Sequence, residues 1–500
     1  MAEASTAYSA LEPRFRRIGA LGQAAGVLHW DMATMMPEGG AAARSEQLAA
    51  LSVTCHELLT HPAVAELLAA AEAESETLGP WQRANLREMT RDWRHATALD
   101  ADLVEALSKA GQRCEMIWRQ ARPAADFAAV LPSLEALLDL KREAAAAKAE
   151  AFGCAPYDAL LDQYDPGLTA ARIDRIFDPL ADFLPGFLER VLAKQAEKPA
   201  PIELNGPFQP ERQEALARKL MAIVGFDFDH GRLDRSAHPF CGGVPDDVRI
   251  TTRYDEDDAL SALMAVLHET GHALYERGLP PEWRLQPVGH ARGMAIHESQ
   301  SLLIEMQVCR GNHFIAFAAP LIAEAFGGTG PAWQADNLTR LASRVAPGFI
   351  RVDADEVTYP AHIILRTRLE RAMIAGELRP ADLPGAWNEA MEELLGLTPP
   401  DDRLGCLQDI HWYDGALGYF PTYTLGAMTA AQLFAAAKAA VPEIPEALGR
   451  GDFAPLLDWL GTHVHAKGSL LTGEDLLIEA TGKPLDPEVF KAHLTTRYLG

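Results

Sequence analysis

The chain is short of cysteine, of positive charge and of unbroken apolar runs. Its 500 residues include six cysteines, at 55, 114, 154, 241, 309 and 406, and no two form a CxxC pair. That scatter argues against a thiolate metal site and a disulfide framework, and fits a reducing compartment. Lys+Arg number 45 against 70 Asp+Glu, a formal net charge of −25. Such a surface repels phosphate backbones and anionic lipid, so neither nucleic acid nor a membrane is expected as a partner. The N-terminus, MAEASTAYSALEPRFRR, has no basic segment followed by an apolar one, so no secretory signal is read. One long uncharged stretch, 415–437, is broken by Gly418, Pro421, Gly426 and Gln432. It lacks the roughly 20 predominantly apolar residues that a bilayer span needs.

What is present is helix former. Hydrophobic residues make up 48% and charged residues 23%, so a large core is possible and general disorder is excluded. Apolar residues recur at three- and four-residue spacing through Leu103–Arg119, Leu131–Phe152, Ile173–Lys194 and Glu211–Ile223. Pro and Gly mark 198–210 as a loop. Residues 225–256 carry aromatics, glycines and the alternation Val248, Ile250, Thr252, Tyr254. They predict one small antiparallel sheet of two or three strands. No composition shift cuts the chain, so a mainly α fold is expected as one unit over 1–500, with room for two lobes around a cleft.

Residues 257–278, DDALSALMAVLHETGHALYERG, form an amphipathic helix by pattern. Asp257 or Asp258 can cap it, and Gly278 with Pro280 and Pro281 ends it. Inside it lies HETGH, 268–272. Positions i and i+4 share a helix face, so His268 and His272 can grip one ion. Glu269 lies beside that ion rather than on it, the place of a metallohydrolase base. A catalytic zinc takes three protein ligands and one open position. A second helical pattern, HARGMAIHESQSLLIEMQVCR (290–310), offers Glu298 as the third, with His297 and Glu305 as competitors. Glu305 could instead stand behind a ligand. A structural site would want a fourth ligand, usually Cys; no cysteine neighbours the motif, which argues against a catalytically inert scaffold. Cobalt or manganese could use the same donors.

Four further clusters are rich in catalytic residue types: HPF (238–240), DVRIT (247–251), IRVDAD (350–355) and GCLQDIHW (405–412), the last followed by Pro421-Thr422-Tyr423-Thr424. Arg249 and Arg351 could each offer a planar fork to a carboxylate, as an enzyme that removes C-terminal residues requires. An internal cutter on the same fold is the alternative, and it needs no such clamp.

These motifs, in this order, resemble the carboxypeptidase Taq family of zinc metallocarboxypeptidases. WDMATMMPEGG (30–40) with Arg44 and Gln47, and YDALLDQYDPG (157–167), are also similar, so the resemblance spans nearly the whole chain. It implies a saddle-like helical fold with a deep central groove, related to neurolysin and angiotensin-converting enzyme. It implies a cytoplasmic homodimer with one zinc per subunit, removing C-terminal residues other than proline. It places the metal on His268, His272 and Glu298, and the catalytic base at Glu269. On that reading Tyr423, with His411 as runner-up, stabilises the oxyanion. Arg351, Arg249 and His238 hold the substrate, while Asp409 orients a metal-bound imidazole and His297 supports the site from behind.

Overall fold

The computed structural model describes residues 6–236 and 239–500. Helix accounts for 71% of the chain and strand for 3%, as the composition predicts. Each periodic segment falls inside a helix: Ala101–Ala124, Phe127–Phe152, Ala170–Ala196 and Pro210–Val224. Three of these open on side-chain caps. Asp100 accepts from the Leu103 N–H, Asp126 from that of Ala129, and Thr169 from that of Arg172. Each such cap stabilises its helix by roughly 1 kcal/mol.

The largest apolar core runs from Cys114 to Leu494 and takes wholly buried residues from distant helices, among them Leu134, Leu180, Leu267, Ile363 and Phe490. Each contributes about 1.5–3 kcal/mol by leaving water. A smaller cluster joins the first helix, through Tyr8, Leu11 and Phe15, to Val64, Leu68, Leu86 and Met89. A third lies beneath the sheet. There Leu233, Val248 and Ile250 pack on Val266 and Ala273, which fastens the sheet to the HExxH helix.

The sheet corrects one expectation. It has three strands, β1 (Gly231–Arg235), β2 (Phe240–Val244) and β3 (Asp247–Thr252), in the order β1-β3-β2. β2 and β3 form the expected antiparallel hairpin through Pro245 and Asp246, but β1 pairs with β3 in parallel, so the sheet is mixed. Along the chain β2 comes between β1 and β3, whereas in the sheet it flanks β3 on the side away from β1. An alternating pattern records which face is buried and not which neighbour lies alongside.

Three helices position the site. The HExxH helix, Ser261–Gly278, starts where Asp258 accepts from the Leu260 and Ser261 N–H groups. The Glu298 helix, Gly293–Leu302, continues into a π-helical segment, Leu303–Cys309. The tyrosine helix, Pro421–Ala440, lies on its other side. Two glycines let these rods touch. A Cβ on Gly271 would meet the Gln300 carbonyl oxygen at 2.4 Å, and one on Gly426 would meet Glu298 Cβ and Cγ at 2.8 Å.

Candidate metal centre

The Nε2 atoms of His268 and His272 turn toward one carboxylate. Glu298 Oε2 lies 3.8 Å from the first and 3.4 Å from the second. The three ligand atoms fall within 4.8 Å of one another, the one such metal-competent group among the described residues. A tetrahedral ion with bonds of about 2.1 Å keeps its ligands ~3.4 Å apart, so this donor set fits a divalent cation. Of the three candidates for the third ligand, the structure brings Glu298 into the cluster. Ser301 Oγ donates to the Glu298 carbonyl oxygen at 2.7 Å and lies 3.3 Å from the same Oε2.

The other nitrogen of each imidazole is also engaged. His268 Nδ1 lies 3.0 Å from Glu305 Oε2, and Arg310 holds the same carboxylate at 3.0 Å. A carboxylate can only accept there, so Nδ1 carries a proton and Nε2 is the nitrogen that faces the cluster. His272 Nδ1 lies 2.6 Å from His297 Nδ1, and His297 Nε2 lies 2.8 Å from Glu276 Oε1. Glu276 accepts from His297 Nε2, which leaves His297 Nδ1 to accept from His272 Nδ1–H. His272 thereby presents its Nε2 lone pair. Glu305 and His297 stand behind the two imidazoles and do not join the cluster, and such supports tune metal affinity.

The local electrostatics are those of a site built for positive charge. Burial disfavours ionised Glu298, yet His268 and His272 outweigh it and hold the carboxyl down at about 2. Burial likewise opposes a charged His268, but Glu298 and Glu305 push the ring up to about 10. Glu269, 7% exposed, is raised to about 7 by burial, with His268 opposing and Glu298 adding. A buried carboxyl tuned near neutrality can both take and return a proton.

Tyr423 and His411, the two candidates for the oxyanion donor, lie together, with His411 Nε2 3.3 Å from the Tyr423 hydroxyl. Burial raises Tyr423 to about 12 against the pull of Arg351, so it stays a hydroxyl donor at neutral pH. Burial lowers His411 to about 4, which makes it a neutral ring. The Arg351 guanidinium lies 4.8 Å over the Tyr423 ring. Tyr423 stands one turn before Gly426, which packs against the stem of Glu298, so this helix carries the tyrosine to the metal cluster.

Two expected roles are not matched. Asp409 orients neither imidazole. It is held between guanidiniums, 2.8 Å from Arg351 Nη2 and 2.7 Å from Arg366 Nε, because two cations outcompete neutral rings for a buried carboxylate. Glu305 and His297 do the orienting instead. Arg249 spends its fork on Asp247, at 3.0 and 2.5 Å, and stacks 4.4 Å over Trp30 of the first helix. Its charge is thereby committed to the sheet. His238 lies outside the described residues. The WDMATMMPEGG motif makes a local tie: Arg44 donates to Asp31 at 2.7 Å, to the Leu28 carbonyl at 2.8 Å and to Gln47 at 3.1 Å.

Two supports went unread in the sequence. Glu276 is the simpler, since it stands four residues after His272 on the same helix face. Arg366 has no such signal, because its partners Gln408 and Asp409 are 42 and 43 residues away.

The sequence profile described as carboxypeptidase Taq (M32) metallopeptidase matches residues 10–498. Thermostable carboxypeptidase 1 of Thermus thermophilus is 38% identical over 483 residues, covering 94% of each chain. Carboxypeptidase 1 of Bacillus subtilis is 33% identical over 97% of this chain and 96% of its own. Among solved structures, metallocarboxypeptidase 1 of Trypanosoma cruzi superposes with a TM-score of 0.97 at 42% identity, covering 99% of both chains. The M32 carboxypeptidase of Deinococcus radiodurans gives 0.92 at 35% identity over 99% of this chain and 100% of that one.

Proposed function

The chain belongs to the carboxypeptidase Taq (M32) metallopeptidase family, hydrolases of peptides, and from that premise we propose that it releases C-terminal amino acids by attack of water at a site built on His268, His272 and Glu298. The observation that carries the reading is the junction of that three-donor cluster with a buried arginine. Arg351, 6% exposed, sits over the tyrosine whose helix packs on Glu298. An exopeptidase needs both a hydrolytic centre and an anchor for the terminal carboxylate within one residue of it.

Held by the three donors, a divalent cation supplies Lewis acidity to water and to the scissile carbonyl, with zinc the expected ion and cobalt or manganese able to use the same ligands. Glu269 takes the proton from the attacking water and returns it to the leaving amine. The Tyr423 hydroxyl donates to the oxygen that gains charge, with His411 holding its oxygen from the other side. Arg351 receives the substrate's terminal carboxylate.

Broad specificity with proline excluded, a single catalytic domain, a homodimer and one ion per subunit complete the reading, on the strength of the family. A cytoplasmic location is part of it and is supported by six free cysteines. No helix among the described residues is long and apolar enough to cross a membrane. The test is a digest of one peptide in free-acid and amidated forms by zinc-loaded protein. Release of C-terminal residues from the free acid alone, abolished by chelation, is the expected result. Equal cleavage of both forms would instead favour an internal cutter.

A further inference from the structure

Arg351 does not stand alone. Its side chain donates to Asp409 through Nη2 at 2.8 Å and through Nε at 3.2 Å. Taken by itself that is a neutral pair, a poor anchor for a second carboxylate, because Asp409 already fills the fork. A second guanidinium changes the balance. Arg366, fully buried on the helix Tyr359–Ala375, donates to Asp409 Oδ2 at 2.7 Å. The titratable groups around the trio carry no compensating charge. His362 and His411 are both lowered by burial, to about 3 and about 4, and Tyr359 and Tyr423 are raised. Glu298, the next carboxylate, is engaged by His268 and His272. Two cations therefore share one anion, and the group keeps one positive charge in surroundings that screen it poorly.

Arg366 also reaches the backbone of Arg351. Its Nη2 donates at 2.7 Å to Gln408 Oε1, and the same oxygen accepts the Arg351 N–H at 2.9 Å. Gln408 Nε2 in turn donates to the carbonyl oxygens of Phe349 and Leu404 at 2.9 and 3.0 Å. The remaining Arg366 nitrogen, Nη1, bonds the His362 carbonyl at 2.7 Å, and the guanidinium lies 4.5 Å over the Trp387 ring. Each nitrogen of Arg366 is thus engaged inside the protein, and its full burial keeps it from meeting a substrate.

We propose that Arg366 is a positioning residue for substrate recognition: it supplies the second positive charge that keeps the Arg351–Asp409 pair net positive toward a peptide's terminal carboxylate, and it fixes the Gln408 side chain on which the Arg351 backbone rests. This rests on the reading of Arg351 as the carboxylate anchor. It accounts for a fully buried arginine that the chemistry at the metal does not require. It also gives Asp409 a role as the spacer between two cations.

The test uses zinc-loaded protein and one N-acylated peptide as free acid and as amide, with KM, kcat and zinc content measured for each variant. Arg366→Met cancels the surplus charge. Its KM for the free acid is expected to rise at least about tenfold, with a smaller fall in kcat, unchanged zinc content and a collapse of the free-acid preference. Arg366→Met combined with Asp409→Asn restores a net charge of one, and should recover that preference by about threefold or more over Arg366→Met alone. Arg366→Lys keeps the charge and should hold the preference within about threefold of the parent. Where Arg366→Met does not fold, Arg366→Gln carries the same charge change. A preference that survives loss of the Arg366 charge overturns the inference while leaving the anchor role of Arg351 intact. So does a double variant no better than the single one. A parent enzyme with no free-acid preference removes the anchor itself, and the inference with it.

Discussion

At the scale of single residues, the site works through which nitrogen of each ring holds a proton. Glu305 and the His297–Glu276 pair each hold an imidazole so that its Nε2 faces Glu298. Removing such a support should weaken the metal without removing a ligand. Glu305→Ala is expected to lower zinc affinity by roughly 10–100-fold, measured by competition with a chromogenic chelator. An unchanged affinity would mean that Glu305 only neutralises Arg310. Glu269 behaves differently because it holds no ligand position. Glu269→Gln should bind zinc as the parent does and lose turnover by roughly 100-fold or more, read from zinc content and initial rates side by side. Turnover near the parental level would move the base to another residue. The paired imidazoles were legible in the sequence because i, i+4 spacing is a local fact; the return helix offered Glu298 beside two competitors, and the family resemblance chose among them. The role of Asp409 was not, since its two guanidinium partners come from segments 43 and 58 residues away.

At the scale of elements, the donors meet because three helices approach more closely than side chains normally allow. Gly271 admits the Glu298 helix, and Gly426 admits the stem of Glu298 itself. Gly426→Ala should cost about 1–3 kcal/mol of stability from overpacking and displace Glu298. A drop in both the thermal midpoint and zinc affinity is expected. A variant that loses stability but binds zinc normally would show that the tyrosine helix does not set the ligand's position.

The C-terminal helix, Pro487–Leu499, is tied to the segment after the IRVDAD motif by one buried carboxylate. Glu356 lies 2.9 Å from His493, 3.2 Å from Arg497 and 3.0 Å from the Tyr498 hydroxyl. Burial opposes its ionisation, but Arg497 and His493 outweigh it and hold the group down at about 2. A carboxyl depressed in the folded state stabilises it above the unfolded value of about 4.3, and that stability drains away as pH falls toward 2. The full contribution is about 3 kcal/mol at neutral pH, with about half of it gone by pH 3. The gap in thermal midpoint between the parent and Glu356→Gln should therefore be widest at pH 7 and narrow clearly at pH 3. A gap of constant width would assign the cost to packing.

At the scale of the whole molecule, composition and helical periodicity announced a mainly α protein, because such patterns report burial within one element. The parallel pairing of β1 with β3 was not readable, since along the chain β2 comes between them and in the sheet it flanks β3 on the side away from β1. The commitment of Arg249 to Asp247 and Trp30 was hidden for a similar reason: the first helix had to be laid against the sheet before the contact existed. What the fold achieves as a unit is to bring a helix pair, a tyrosine helix and a buried arginine pair to one place. The most direct check on that account is a titration of metal-free protein with zinc, following bound metal and release of C-terminal residues together. One equivalent per chain, with activity rising in step and both lost in Glu298→Ala, is the predicted result. Activity without bound metal, or undiminished zinc binding in Glu298→Ala, would contradict it.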